Sequence, residues 1–345
     1  MNIKDFDYSL PPERIALQPP QIRGASRLEV LDRRSGEITN RLYQNVVDYI
    51  NPGDVVVLNN TKVIKARLLA TKSSGVQIEL LVLEDHNNND PLARKVMYRG
   101  NLKTEDRLTI DNAVISITQV NKDGTANIKS TTDILELCSK YGTVPLPPYL
   151  HRDATKSDEE RYQTVFSKQL GSVAAPTASL NFTQDIVDEL TTKGAIICYL
   201  TLHVGLGTFL PIRTDDITEH TMHSEYFIVP EHTIEAIKTA KASNNKVVAV
   251  GTTVTRTLEY LSNNYPGVFS SRPSKVVTGE ANIFIYPGYE FQAIDMMLTN
   301  FHAPKSTVLM MAAAFAGWDN LKHAYEEAII QEYNFLSYGD SMLIV

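Results

Sequence analysis

Three stretches of the chain set small, polar and glycine-bearing residues where an apolar run ends, an arrangement in which backbone amides can approach a ligand closely. The first is Thr201-Leu202-His203-Val204-Gly205-Leu206-Gly207-Thr208-Phe209. It offers the His203 imidazole for proton transfer and Gly205, Gly207 and Thr208 for binding; a packed histidine in a structural loop is the competing reading. The second, Ala249 to Arg256, passes from a strand through Gly251, Thr252 and Thr253 into a helix carrying Arg256. Amides at a helix start, together with a guanidinium, suit a carboxylate or a phosphate. The third, Thr299-Asn300-Phe301-His302-Ala303-Pro304-Lys305-Ser306-Thr307, collects polar groups just before a helix, with proline near its start. Its Lys305-Ser306-Thr307 matches part of a phosphate loop but lacks the upstream glycines, so a nucleotide triphosphatase is excluded.

A fourth cluster, His220, His223 and Glu225, admits three readings: a metal site, a histidine oriented by a carboxylate, or a structural pair. The spacing is not H-E-x-x-H and no cysteine assists, so no metal is expected here.

These residues need a scaffold, and the chain of 345 residues with 43% hydrophobic content is long enough for two domains. Cys138 and Cys198 are far apart, without a C-x-x-C pair, so both are expected in the core and neither a disulfide framework nor an iron-sulfur cluster is supported. The N-terminus carries charge from the start and no apolar run approaches the ~20 residues of a membrane span, giving the expectation of a soluble, intracellular (cytoplasmic) protein without a membrane partner. A net charge of −7 opposes an indiscriminate nucleic-acid binder and favours a monomer. Between Lys62 and Arg107, however, the bases outnumber the acids, which leaves room for a local basic surface.

The spacing predicts helical residues over Leu42 to Ile50 and a buried strand over Val55 to Leu58. From Lys62 to Leu150 short β-like runs alternate with turns such as Ser73-Ser74-Gly75 and Lys122-Asp123-Gly124, the pattern of a small antiparallel barrel, with 86–90 as a polar loop tip. A helix over Ile134 to Tyr141 and the rigid Pro145-Leu146-Pro147-Pro148 then lead back to another domain. The remainder alternates strands (Ala195 to Val204, Val247 to Val250, Asn282 to Ile285, Met342 to Val345) with helices (Asp185 to Thr192, Pro230 to Ala242, Thr255 to Leu261, Ser306 to Phe315, Leu321 to Tyr333). This predicts a mixed-sheet α/β domain over 1–60 and 152–345, interrupted by an inserted antiparallel β-barrel domain over 61–151.

Taken together, the ordered motifs resemble one family, the S-adenosylmethionine:tRNA ribosyltransferase-isomerases of queuosine synthesis. The resemblance runs nearly end to end. It is carried by Asp5-Phe6-Asp7-Tyr8-x-Leu10-Pro11, Leu58-Asn59-Asn60-Thr61-Lys62-Val63, Pro145 to Tyr149, Glu160-Arg161-Tyr162-Gln163-Thr164-Val165, Val173 to Ala178, the three loops above, and Ser337-Tyr338-Gly339-Asp340. It implies the same interrupted α/β fold and a reaction on 7-aminomethyl-7-deazaguanine at the tRNA wobble position. That base receives the ribosyl unit of S-adenosylmethionine and becomes epoxyqueuosine, while adenine and methionine leave. S-adenosylmethionine is then a consumed co-substrate, and no separate cofactor is implied.

Such chemistry requires a base for the proton beside the sulfonium, an acid for departing adenine and a neutral attacking amine. His203, His220, His223, Glu225 and His302 are the candidate proton carriers. Glu225, Asp340, Tyr162 and Tyr338 suit the sulfonium, and Arg256 or Arg161 the methionine carboxylate. Thr177, Gly205, Gly207, Thr208, Gly251, Thr252, Thr253, Asn300, Lys305, Ser306 and Thr307 complete the binding set. Asn181 stands where the family pattern has histidine, Asn334 where it has arginine and Ala281 where it has threonine. Asparagine cannot shuttle a proton near neutral pH, so a catalytically impaired tRNA-binding relative is the alternative reading.

Overall fold

The computed structural model describes residues 1–84, 90–205, 212 and 214–345. Gly207, Thr208 and most of the expected loop tip at 86–90 lie outside the described residues. The strands are β1 (Arg27–Leu31), β2 (Ile38–Leu42), β3 (Val55–Asn59), β4 (Thr61–Val63), β5 (Arg67–Lys72), β6 (Gln77–Val82), β7 (Ala93–Arg99), β8 (Arg107–Ile110), β9 (Ala113–Val120) and β10 (Thr125–Ser130). They continue with β11 (Gln169–Ser172), β12 (Ile196–Leu202), β13 (Glu225–Val229), β14 (Val247–Val250), β15 (Val277–Ala281), β16 (Met296–Asn300) and β17 (Ser341–Ile344). The helices are α1 (Ile134–Tyr141), α2 (Lys156–Arg161), α3 (Gln184–Lys193), α4 (Glu231–Ala242), α5 (Thr252–Asn264), α6 (Thr307–Ala316) and α7 (Trp318–Ile330).

Among the described residues the main sheet has nine strands in the order β15-β13-β12-β3-β14-β16-β17-β1-β2. Its centre, β12-β3-β14-β16, is parallel. Central parallel strands are covered on both faces, which is why β3 reads as an unbroken apolar run: Val55 and Val57 enter one core, Val56 and Leu58 the other. The same parallelism brings the C-terminal ends of all four strands to one edge of the sheet.

β5 to β10 form a closed barrel in the order β10-β7-β6-β5-β8-β9, inserted in the chain between β3 and β12. Period-2 alternation fills its interior: Leu68 and Ala70 are fully buried while Leu69 between them points out. α1 packs on the same core through Leu137 and Cys138. The expected mixed α/β architecture with an antiparallel barrel is therefore present.

Local differences have physical causes. β7 was not read from the sequence because Arg94, Lys95 and Arg99 obscure its alternation. The strand expected over Asn282 to Ile285 is instead β15, which pairs with β13 over Val277 to Ala281; Ile285 is buried on the core from an irregular segment. Tyr43–Tyr49 winds as a 3-10 helix. Gly194 ends α3 in the left-handed conformation (φ 97°), as a helix-terminating glycine should. Both cysteines are buried, and burial pushes the Cys138 thiol up to about 12 and the Cys198 thiol up to about 11.

Candidate active site

The strand ends are locked together by the Leu58-Asn59-Asn60-Thr61 motif. Asn59 donates from Nδ2 to the Leu202 carbonyl (2.9 Å) and accepts at Oδ1 from the amides of Leu202 and Thr61 (both 3.1 Å), tying β3 to β12. Thr201 Oγ1 donates to Asn60 Oδ1 at 2.7 Å. These asparagines belonged to a recognised motif, but nothing in their type distinguished a strand clamp from a ligand contact.

A cavity of about 700 Å³ opens at this edge. Of the expected binding residues, Thr177, Gly251, Thr252, Thr253, Asn300, Lys305 and Ser306 line it, and His302 does so as well. Gly251 caps α5 at φ 97°, a conformation in which glycine is favoured, and turns the chain from β14 into the helix. Thr177 Oγ1 donates to Asn300 Oδ1 at 2.8 Å across the cavity floor. His302 Nε2 is 2.8 Å from Thr299 Oγ1, and the His302 backbone N–H donates to Tyr325 Oη at 3.0 Å. Burial pushes the His302 imidazole down to about 3, so it is a neutral hydrogen-bonding group.

The other expected residues sit elsewhere. His203 is buried and is not among the described residues lining the cavity, whereas its neighbour Val204 is; its Nδ1 is 2.7 Å from Thr61 Oγ1 and its ring is parallel to that of Tyr226. Glu225 is buried at the start of β13. It forms a buried ion pair with Arg256 and accepts the Gly205 amide at 3.1 Å, so Arg256 is held against a protein carboxylate rather than exposed to the cavity. His220 packs edge-on against Phe284, and burial followed by the neighbouring His223 lowers its pKa; His223 itself is exposed. Among the described residues no group of three or more His, Cys, Asp or Glu side chains is placed to hold a metal ion.

Arg161 donates to the Gln21 carbonyl at 3.1 Å, and Thr307 begins α6 beneath the cavity. Tyr162 and Tyr338 are buried against each other, edge to face. Asp340 accepts two backbone amides, from Arg27 and Asn334, both at 2.7 Å. Asp158 organises this side: it accepts both guanidinium nitrogens of Arg152 (2.6 and 2.8 Å), the amide and hydroxyl of Thr155 (2.8 Å each) and the Tyr338 hydroxyl (2.7 Å). The Tyr149 hydroxyl accepts the Ser337 amide at 2.9 Å, and Tyr149 and Ser337 both face the cavity. Asn181 is buried away from the cavity and donates to the Gly339 carbonyl at 3.2 Å.

A family model described as queuosine biosynthesis protein matches residues 3–344. The chain belongs to this family. Among curated relatives, it is 52% identical to the S-adenosylmethionine:tRNA ribosyltransferase-isomerase of Chlorobaculum parvum and 50% identical to that of Chlorobium chlorochromatii, each over 100% of both chains. A member from Sulfurihydrogenibium is 45% identical, again over both full lengths. The crystal structure of S-adenosylmethionine tRNA ribosyltransferase from Thermotoga maritima aligns with a TM-score of 0.57 at 33% identity, covering 99% of this chain and 100% of that one. The family's queuosine chemistry thus meets a cavity built from the ends of the central strands.

Proposed function

We infer that the protein transfers and isomerises the ribosyl moiety of S-adenosylmethionine onto 7-aminomethyl-7-deazaguanine at the wobble position of tRNA. The product is epoxyqueuosine-tRNA, and adenine and methionine are released. The observation that carries this reading is the similarity of about half of all residues, over the full length, to relatives bearing that activity's name. The cavity supports it: a mainly apolar lining with a few imidazole, amide and hydroxyl groups set into it is the make-up of a small-molecule site.

In this reading S-adenosylmethionine occupies the cavity as a consumed co-substrate, with no separate cofactor. His302 and Asn300 face the reacting centre, while Thr177, Gly251, Thr252, Thr253 and Ser306 bind. His203 with Glu225 and Arg256 supports the cavity wall from behind, as do Tyr162, Tyr338 and Asp340. tRNA meets the exposed cations Lys62, on β4 beside the barrel, and Arg99, Lys103 and Arg107 of the barrel; Lys65, Lys72 and Lys95 are already paired with Glu159, Asp106 and Asp123. The protein works as a cytoplasmic monomer, for which its negative charge is the support. The position of Asn181, donating to a turn carbonyl outside the cavity, favours an active enzyme over an impaired relative.

Purified protein with S-adenosylmethionine and tRNA carrying the precursor base is expected to release adenine and methionine in proportion to modified tRNA. No adenine under those conditions would overturn the reading. Light scattering at one mass per chain would support the monomer.

A further inference from the structure

The N-terminal residues 1–8 form a strap that contributes Ile3 and Lys4 to the cavity lining and ends in the motif Asp5-Phe6-Asp7-Tyr8. At one end the Ile3 amide donates to the Asp215 carbonyl at 2.9 Å and the Ile217 amide to the Met1 carbonyl at 3.1 Å. At the other, the Tyr8 hydroxyl donates to the His302 carbonyl, and the Lys305 amide donates to the Phe6 carbonyl at 3.1 Å. Ile3 and Phe6 are buried in the main core, with Phe6 against Trp318, so the strap is fixed.

The strap carries a carboxylate to a cation of the cavity: Asp7 Oδ2 lies 2.6 Å from Lys305 Nζ. Among the described residues, Lys4 and Lys305 are the cationic side chains that line the cavity; Arg256 and Arg161 do not. Lys4 pairs with Asp215 at 3.8 Å with more than two thirds of both side chains exposed, where solvent screens it. Lys305 is the less exposed of the two, and its backbone is held at φ 58°, a strained position for a side-chain-bearing residue. Its amide bond to Phe6 in the strap helps to hold it there. The chain therefore fixes an ammonium group at the cavity and meets it with a carboxylate of its own.

We propose that Lys305 is the anchor for the amino-acid carboxylate of S-adenosylmethionine and that Asp7 is a resident stand-in, which that carboxylate displaces. This rests on the reaction proposed above. A half-exposed ion pair is weak and exchanges readily, so the strap can hold the lysine in place without closing the site. Asp7 then acts as a built-in competitor, tuning affinity.

Steady-state kinetics of the full-length protein test this. Asp7→Asn is expected to lower KM for S-adenosylmethionine about two- to fivefold at unchanged kcat. Lys305→Met is expected to raise that KM tenfold or more, with Lys305→Arg recovering most of it. The decarboxylated analogue, S-adenosyl-3-methylthiopropylamine, should show no KM difference between wild type and Asp7→Asn. An unchanged or raised KM for S-adenosylmethionine in Asp7→Asn, an effect confined to the KM for tRNA, or an equal effect on the decarboxylated analogue would each overturn the proposal. If wild type itself released no adenine, the proposed reaction would fail first, and binding of S-adenosylmethionine by calorimetry to the same variants would still decide the role of Asp7.

Discussion

The Thr61 hydroxyl and the His203 imidazole, 2.7 Å apart at Nδ1, join the start of β4 to the residue just past the end of β12 in a buried contact. A buried imidazole nitrogen deprived of its partner is penalised by desolvation. Thr61→Val, which keeps the shape and removes the hydroxyl, is expected to destabilise the protein by about 1–3 kcal/mol. Urea denaturation measures this, and an unchanged midpoint would refute the importance of the contact.

The same imidazole limits Gly171. A Cβ at that position would lie 2.9 Å from the His203 ring, and the backbone there has φ 147°. Gly171→Ala is expected to lose about 1–3 kcal/mol through overpacking and strain. Gly75, also at positive φ but with open space around it, serves as the comparison, since Gly75→Ala carries strain alone. Equal losses at the two positions would argue against the steric account.

Asp158 illustrates a buried charge made tolerable by its donors. Burial would raise its pKa, but Arg152, Thr155 and Tyr338 outweigh that and hold the carboxyl well below its ordinary 3.8. A depressed folded-state pKa contributes stability above the ordinary value and loses it as the pH falls below about 4. Asp158→Asn is expected to lose about 2–3 kcal/mol at pH 7, less than a fully enclosed pair because Arg152 keeps partial exposure. The variant's stability should also fall less steeply than wild type below pH 4, as thermal melts across that range would reveal.

Glu29 behaves in the opposite sense. It sits fully buried on β1, and among the described residues neither carboxylate oxygen has a hydrogen-bond partner. Burial, then repulsion from Glu327 on α7, pushes its pKa up to about 8, with Arg27 opposing. A raised carboxyl favours the folded state while protonated, so its contribution is present below 4.5 and is lost as the pH rises towards 8. Glu29→Gln is expected to stabilise the protein by roughly 1–3 kcal/mol at pH 8 and to change little at pH 4.5. The same gain at both values would mean that ionisation of Glu29 is not responsible.

Much of the fold was legible because local physics repeats along the chain. Unbroken apolar runs gave β3, β12 and β14, closely spaced turns gave the barrel, and helical spacing over Asp185 to Thr192 gave α3. β7 was less legible because Arg94, Lys95 and Arg99 obscure its alternation, and β15 because its pairing with β13, some way back along the chain, defines it. The site was legible by neighbourhood: the loops after β14 and β16 do meet at the cavity, since parallel central strands deliver their ends to one edge.

The sequence by itself determined the family, through long motifs in a fixed order, and the residue types available for chemistry. Only the tertiary structure decided which of them face the cavity. Arg256 and Lys305 are both cations at strand-end loops, yet Glu225 takes Arg256 into a buried pair while Lys305 remains at the cavity beside Asp7. Charge and hydrogen-bond partners are chosen by proximity in three dimensions. Tyr8 and His302, bonded across 294 positions of chain, show how little that proximity is encoded in spacing.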